Sequence, residues 1–231
     1  SRVSRPVRAI LALALLAFAP WLGACGKSGT SPSAAAPRSY RMGFALSAPR
    51  QEFPLLLQAL DLITQRADAA IISFEAPWDS LLAGTPPDGI VRRQLLPLAD
   101  YYRSRGMRVW AYLDPANGLN RGGEANPLVA AGRSITEPAI QQLYRAYAVA
   151  LDTLLVPDVF GVVLETNLIR AASPAPLYAA IRQVANDAAA DIRAHDAAVR
   201  LSASVQVETA WGKFGGGGFQ GVDTDFADFP F

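Results

Sequence analysis

The sequence has one cysteine, one histidine and almost no excess of charge, with 21 Lys and Arg against 20 Asp and Glu. Cys25 alone excludes an intramolecular disulfide. His195 stands alone at the polar end of a helical pattern, which leaves a Ser/His/Asp triad or a histidine-built metal site without its parts. No basic stripe runs along any segment, so nucleic acid is not an expected partner. The apolar run from Ala9 to Leu22 is shorter than the roughly 20 residues that a membrane-spanning helix needs. Gly215–Gly218 has neither a Walker lysine nor a dinucleotide pattern, so no phosphate cradle, metal or cofactor is expected. We find no short internal repeat.

What is present begins with a leader. Arg2, Arg5 and Arg8 precede the apolar run, which ends in Leu22-Gly23-Ala24-Cys25. A basic region followed by a short apolar stretch has the layout of a secretory signal. The last four residues resemble the lipobox of bacterial lipoproteins. That resemblance implies cleavage before Cys25 and lipidation of its sulfur. The expected organisation is a signal peptide over 1–24, a lipidated Cys25 with a Gly/Ser/Pro/Ala tether over 25–39, and one folded domain over 40–231. The expected place is the bacterial cell envelope, anchored to a membrane on its periplasmic or cell-surface side. Removing 1–24 takes three of the 21 bases and none of the 20 acids, leaving 18 against 20.

Within the folded domain, five strand-like runs alternate with helical patterns. The strands read 41–47, 69–75, 107–114, 160–167 and 200–208. Apolar residues at helical spacing fall at Phe53–Ile63, at Val91–Tyr102, at Ile140–Leu154 with Thr136 as N-cap, and at Leu177–Ile192 opened by Ser173-Pro174. Alternating strands and helices predict a parallel α/β sheet. Residues two apart on a strand share a face, and in each run one face turns polar toward the C-terminal end. Ser73 and Glu75 do so, as do Tyr112 and Asp114, Glu165 and Asn167, and Gln206 and Glu208. A doubly wound sheet is apolar on both faces, whereas a (β/α)₈ barrel opens at the top of its lumen. The expected fold is therefore a (β/α)₈ barrel. With five strands found and Ala227–Phe231 read as the opening of a sixth, the chain is expected to be an N-terminal fragment of about five to six β/α units.

The expected rim holds Ser47, Glu75, Asp114, Glu165, Asn167, Gln206 and Glu208, with Trp78, Trp110, Tyr112 and Trp211 on or just beyond the strand ends. Carboxylates from several strand ends suit glycoside hydrolysis, in which one acid protonates the leaving oxygen and another attacks or activates water. Aromatic side chains would offer faces on which sugar rings stack. Taken together, "GFALS" (43–47), "EAPW" (75–78), "AYLDP" (111–115) and the Glu/Asn pair closing the fourth run look similar to clan-A glycoside hydrolases, nearest to the endo-β-1,4-galactanase group. The resemblance spans about 40–231 and rests on layout. It implies Glu165 as proton donor. It also implies sugar contacts from Asn167, Gln206, Glu208, Asp114, Glu75, Trp78 and Trp211, and a nucleophile at the end of a seventh strand, beyond Phe231. Leu164 stands where the clan has Asn before the donor, and Asn167 follows two places later. The expected partners are a carbohydrate substrate and the membrane. The alternative is a non-catalytic glycan-binding or structural envelope lipoprotein on the same barrel.

Overall fold

The computed structural model describes residues 39–47, 49–50, 52–212 and 222–231. Residues 1–38, which hold the expected leader, Cys25 and most of the expected tether, and Gly215–Gly218 lie outside the described residues. Tyr40–Phe231 forms one compact unit of mixed α/β structure.

Five parallel strands build a single sheet in the order β1-β2-β3-β4-β5. They are β1 (Gly43–Ala45), β2 (Ala69–Glu75), β3 (Arg108–Asp114), β4 (Val159–Gly161) and β5 (Leu201–Ser202). The longest ladder joins β2 to β3 in register from Ala69↔Arg108 to Glu75↔Asp114. Both strands are rich in branched and aromatic residues, which suit a pleated, half-buried surface. Ala70 and Ile72 of β2, Val109, Ala111 and Leu113 of β3 and Phe160 of β4 are buried on one side. Ser73 and Glu75 on the other face of β2 are exposed.

Ten helices accompany the sheet among the described residues: α1 (Phe53–Arg66), α2 (Trp78–Leu82), α3 (Pro87–Gln94), α4 (Leu96–Ser104), α5 (Asn126–Ala130), α6 (Pro138–Leu155), α7 (Thr166–Ala172), α8 (Ala175–His195), α9 (Val207–Ala210) and α10 (Val222–Asp228). The core centres on α6 packed against α8. Tyr144, Tyr147, Leu151 and Leu155 recur at helical spacing on α6, and Ile181, Val184, Ala188 and Ile192 on α8, all of them buried. Tyr144 also reaches the sheet, its hydroxyl donating to the Val162 carbonyl at 2.7 Å.

Several expected boundaries shift. The pattern over Val91–Tyr102 forms two helices, because Pro97 in the first turn of α4 has no N–H to continue α3. Pro138 likewise starts α6, with Glu137 rather than Thr136 at its N-cap. Ser173 ends α7 and donates to the Ile169 carbonyl, while Pro174 caps α8. The fourth run leaves the sheet at Gly161, and Glu165 and Asn167 belong to a turn and to α7. The fifth leaves at Ser202, so Gln206 and Glu208 open α9 rather than extend a strand. Ala227–Phe231 is not a strand. Ala227 and Asp228 close α10, where Asp228 accepts from Tyr178 at 2.7 Å and from Arg182 at 2.8 Å. Phe229 then packs into the core.

Candidate functional site

The strand register sets Glu75 beside Asp114 at the C-terminal ends of β2 and β3. Past Asp114 the chain enters the Asn- and Gly-rich loop 115–125, braced from within by its Asn side chains and tied at its end to Asn126, Ser134 and Ile135 through Asn117 and Glu124. Asn117 Oδ1 accepts from the N–H groups of Leu119 (2.9 Å) and Asn120 (3.0 Å), and Asn120 Oδ1 accepts from Gly122 N–H at 3.2 Å. Side-chain acceptors of this kind replace the backbone ladder that a loop lacks. Glu75 Oε1 accepts from Gly118 N–H at 2.8 Å and ties the loop to β2. Two glycines permit close approaches here. A Cβ on Gly118 would stand 2.5 Å from Glu75 Oε1, and one on Gly122 would stand 2.8 Å from the Ala172 carbonyl at the end of α7.

This loop carries Arg121 back over the strand ends. Its Nε donates to Glu165 Oε2 at 2.7 Å and its Nη1 to Asp114 Oδ2. One guanidinium fork thus holds two carboxylates, one from the end of β3 and one from the turn after β4, a geometry that lysine cannot reproduce. Side-chain exposure falls from 35% at Glu165 through 9% at Arg121 to 2% at Asp114. Burial pushes the Asp114 carboxyl up to about 6 against the pull of Arg121 and the Ala116 N–H, and the nearby Glu75 carboxylate adds to the rise. Burial also works against the Arg121 charge, but Asp114 and Glu165 outweigh it and hold the guanidinium protonated more firmly than usual.

Glu165 has left-handed backbone, φ 51° and ψ 46°, a conformation costly for a residue with a side chain. It stands at the N-cap of α7 without capping it. Its N–H donates to Ser204 Oγ at 3.0 Å, and its carboxylate turns to Arg121 instead. The glutamate at the end of an apolar run therefore enters a charge network, which offsets the cost of removing it from water.

The remaining expected site residues divide. Asn167 is 3% exposed and clamps two segments: its Oδ1 accepts from Leu168 and Gln206 N–H, and its Nδ2 donates to the Gln206 carbonyl. It is a structural tie, not an open contact for sugar hydroxyls. Gln206 caps α9 through Thr209 N–H and donates to Glu208. Trp78 is 1% exposed and stacks on Tyr144 with centroids 6.1 Å apart, so its face is already covered. Its place in the core corrects the expected rim platform, because the chain turns directly from β2 into α2. Trp211 is 61% exposed beyond α9. Tyr112 folds over Gly161, where a Cβ would stand 2.0 Å from the ring. Ser47 lines a separate cavity of about 330 Å³ between β1 and α1, with Phe44, Leu62 and Arg66. Arg121 was not among the residues expected from the sequence. Its only local signal is a lone base in "NGLNRGG" seven places after Asp114.

No cluster of His, Cys, Asp and Glu suited to a metal ion occurs among the described residues. No protein-family model and no curated protein matches the chain.

Proposed function

We propose that this chain is part of an envelope-anchored (β/α)₈ barrel related to glycoside hydrolases, acting on an oligo- or polysaccharide. The observation that carries the reading is the Asp114–Arg121–Glu165 bridge at the C-terminal ends of a parallel sheet, where barrel enzymes hold their reactive groups. Strand order supports the barrel. Sequentially ordered parallel strands joined by right-handed crossovers send all helices to one face, whereas a doubly wound sheet reverses direction. Among the described residues β1 stands at an edge of the sheet, and this edge with the exposed apolar residues Phe44, Phe53, Leu56, Leu57 and Leu62 gives further support. A closed barrel pairs that edge and covers that face.

In this reading Glu165 serves as acid/base, with Arg121 and Asp114 orienting it. Glu208 in α9 and the exposed Trp211 that follows it would contact the sugar. Cys25 carries the lipid anchor and the tether through residue 39 holds the barrel off the membrane. Cys25→Ser should abolish membrane fractionation, and retention in the membrane fraction with normal processing would refute the anchor. For the chemistry, the measurement is kcat of the full-length protein on an aryl glycoside and on polysaccharides. Glu165→Gln should cost about 10²–10⁴ in rate, with less loss where the leaving group needs no proton. One observation favours the second reading, a non-catalytic glycan binder: Arg121 ties both carboxylates, and Asp114 is sealed from solvent. Glycan binding without turnover by the full-length protein would decide for it.

A further inference from the structure

Glu75 was expected to touch sugar. Its contacts assign it other work. The carboxylate is exposed at the end of β2, and its Oε1 accepts from the Gly118 backbone N–H at 2.8 Å. Gly118 lies three residues before Arg121; the loop's Asn117 and Asn120 also brace it from within, and Asn117 and Glu124 tie its far end to Asn126, Ser134 and Ile135. On the far side of Arg121, Gly122 passes so close to the Ala172 carbonyl that a Cβ there would stand at 2.8 Å. On the Glu75 side of Arg121 the tie of the loop to β2 is the Gly118 N–H, and on the other side Gly122 packs against the end of α7. Its guanidinium in turn meets Glu165, whose left-handed backbone and uncapped helix leave the carboxylate to be aimed from outside.

We infer that Glu75 is a positioning residue: through Gly118 it fixes the loop that delivers Arg121, and Arg121 aims Glu165. The inference rests on the carbohydrate reading only for what the aimed carboxylate does. Its geometry can be tested without any ligand.

The readout is solvent exchange of the Arg121 Nε–H, followed by NMR in the full-length protein with labelled arginine. In the wild type this proton is held against Glu165 and should exchange slowly. Glu75→Ala should speed it about tenfold, the factor that one charge-assisted hydrogen bond sets, with little change in melting temperature because Glu75 is exposed. Glu75→Gln keeps an oxygen for Gly118 N–H and should restore slow exchange. Gly118→Ala, which adds no polar group but forces Glu75 away, should match Glu75→Ala. Unchanged exchange in Glu75→Ala, or failure of Gln to restore it, would overturn the inference. Binding of neutral xylan, galactan and glucan oligosaccharides separates the two ideas. If the wild type binds none of them while the exchange pattern holds, the carbohydrate reading fails and the positioning role stands. If the wild type binds while Arg121 exchange is unchanged in Glu75→Ala, the positioning role fails and the carbohydrate reading stands.

Discussion

Arg121→Met removes the guanidinium from between two carboxylates while keeping an unbranched stem, and its cost should depend on pH in a specific way. With the Asp114 carboxyl at about 6, its protonated form at pH 7 lies about 1.4 kcal/mol above the ionised form, from 1.36 kcal/mol per pH unit. Loss of Arg121 raises the ionised form, and Asp114 escapes by taking up a proton. The Asp114 share of the destabilisation is therefore capped at that gap: about 1.4 kcal/mol at pH 7, about 2.7 at pH 8 and nothing at pH 5. Glu165, with its side chain 35% exposed, adds only about 0.5 kcal/mol because solvent screens it. The total is about 2 kcal/mol at pH 7. The sign follows from linkage. The folded variant holds a proton that the unfolded chain has released, so its stability relative to wild type falls as pH rises. Urea unfolding of both proteins at pH 5, 7 and 8 measures this directly. A difference that stays constant across the three, or grows toward pH 5, would refute a charge bridge built on buried Asp114.

Gly161→Ala places a methyl 2.0 Å from the Tyr112 ring, and displacing that ring should cost about 1–3 kcal/mol. An unchanged melting temperature would show that Tyr112 does not pack there. Val156, at the C-cap of α6, has φ 44° and is 67% exposed, so Val156→Gly should stabilise by about 1 kcal/mol as the left-handed strain is relieved. A lower melting temperature would contradict this. Burial, with Asp196 adding and His195 opposing, raises the Asp152 carboxyl to about 6 from its ordinary 3.8. The stability linked to it is present below about pH 4 and lost as pH rises through 6, so Asp152→Asn should melt higher than wild type near pH 7.5 and equally near pH 4. An offset independent of pH would sink that assignment.

Much of the scaffold was legible because periodicity is written within single elements. The span Ala69–Glu75 read as a strand is β2 itself, and β3 differs from its reading by one residue. The buried rows of α6 and α8 follow the apolar spacing seen in the sequence. The polar ends of the fourth and fifth runs were harder. Strand parity predicted Glu165 with Asn167, and Gln206 with Glu208, on one sheet face. The backbone leaves the sheet at Gly161 and Ser202, and the polar residues satisfy one another across the gap, Asn167 against Gln206 and Glu165 N–H against Ser204. Those pairings lie 39 residues apart in the chain, and no local pattern reports them.

Composition, periodicity and turn residues by themselves determined an alternating α/β chain, the face of each helix that is buried, and the acids that close β2 and β3. Each of these depends on residues a few places apart on one element. Only the tertiary structure decided that Trp78 is covered by Tyr144, that Asn167 is a clamp, and that Arg121 joins Asp114 to Glu165. The physical reason is the same in all three: a side chain's role depends on which groups meet it once water is excluded. For Arg121 those groups are the ends of β3 and the turn after β4, brought within hydrogen-bond reach only by the parallel register of the sheet.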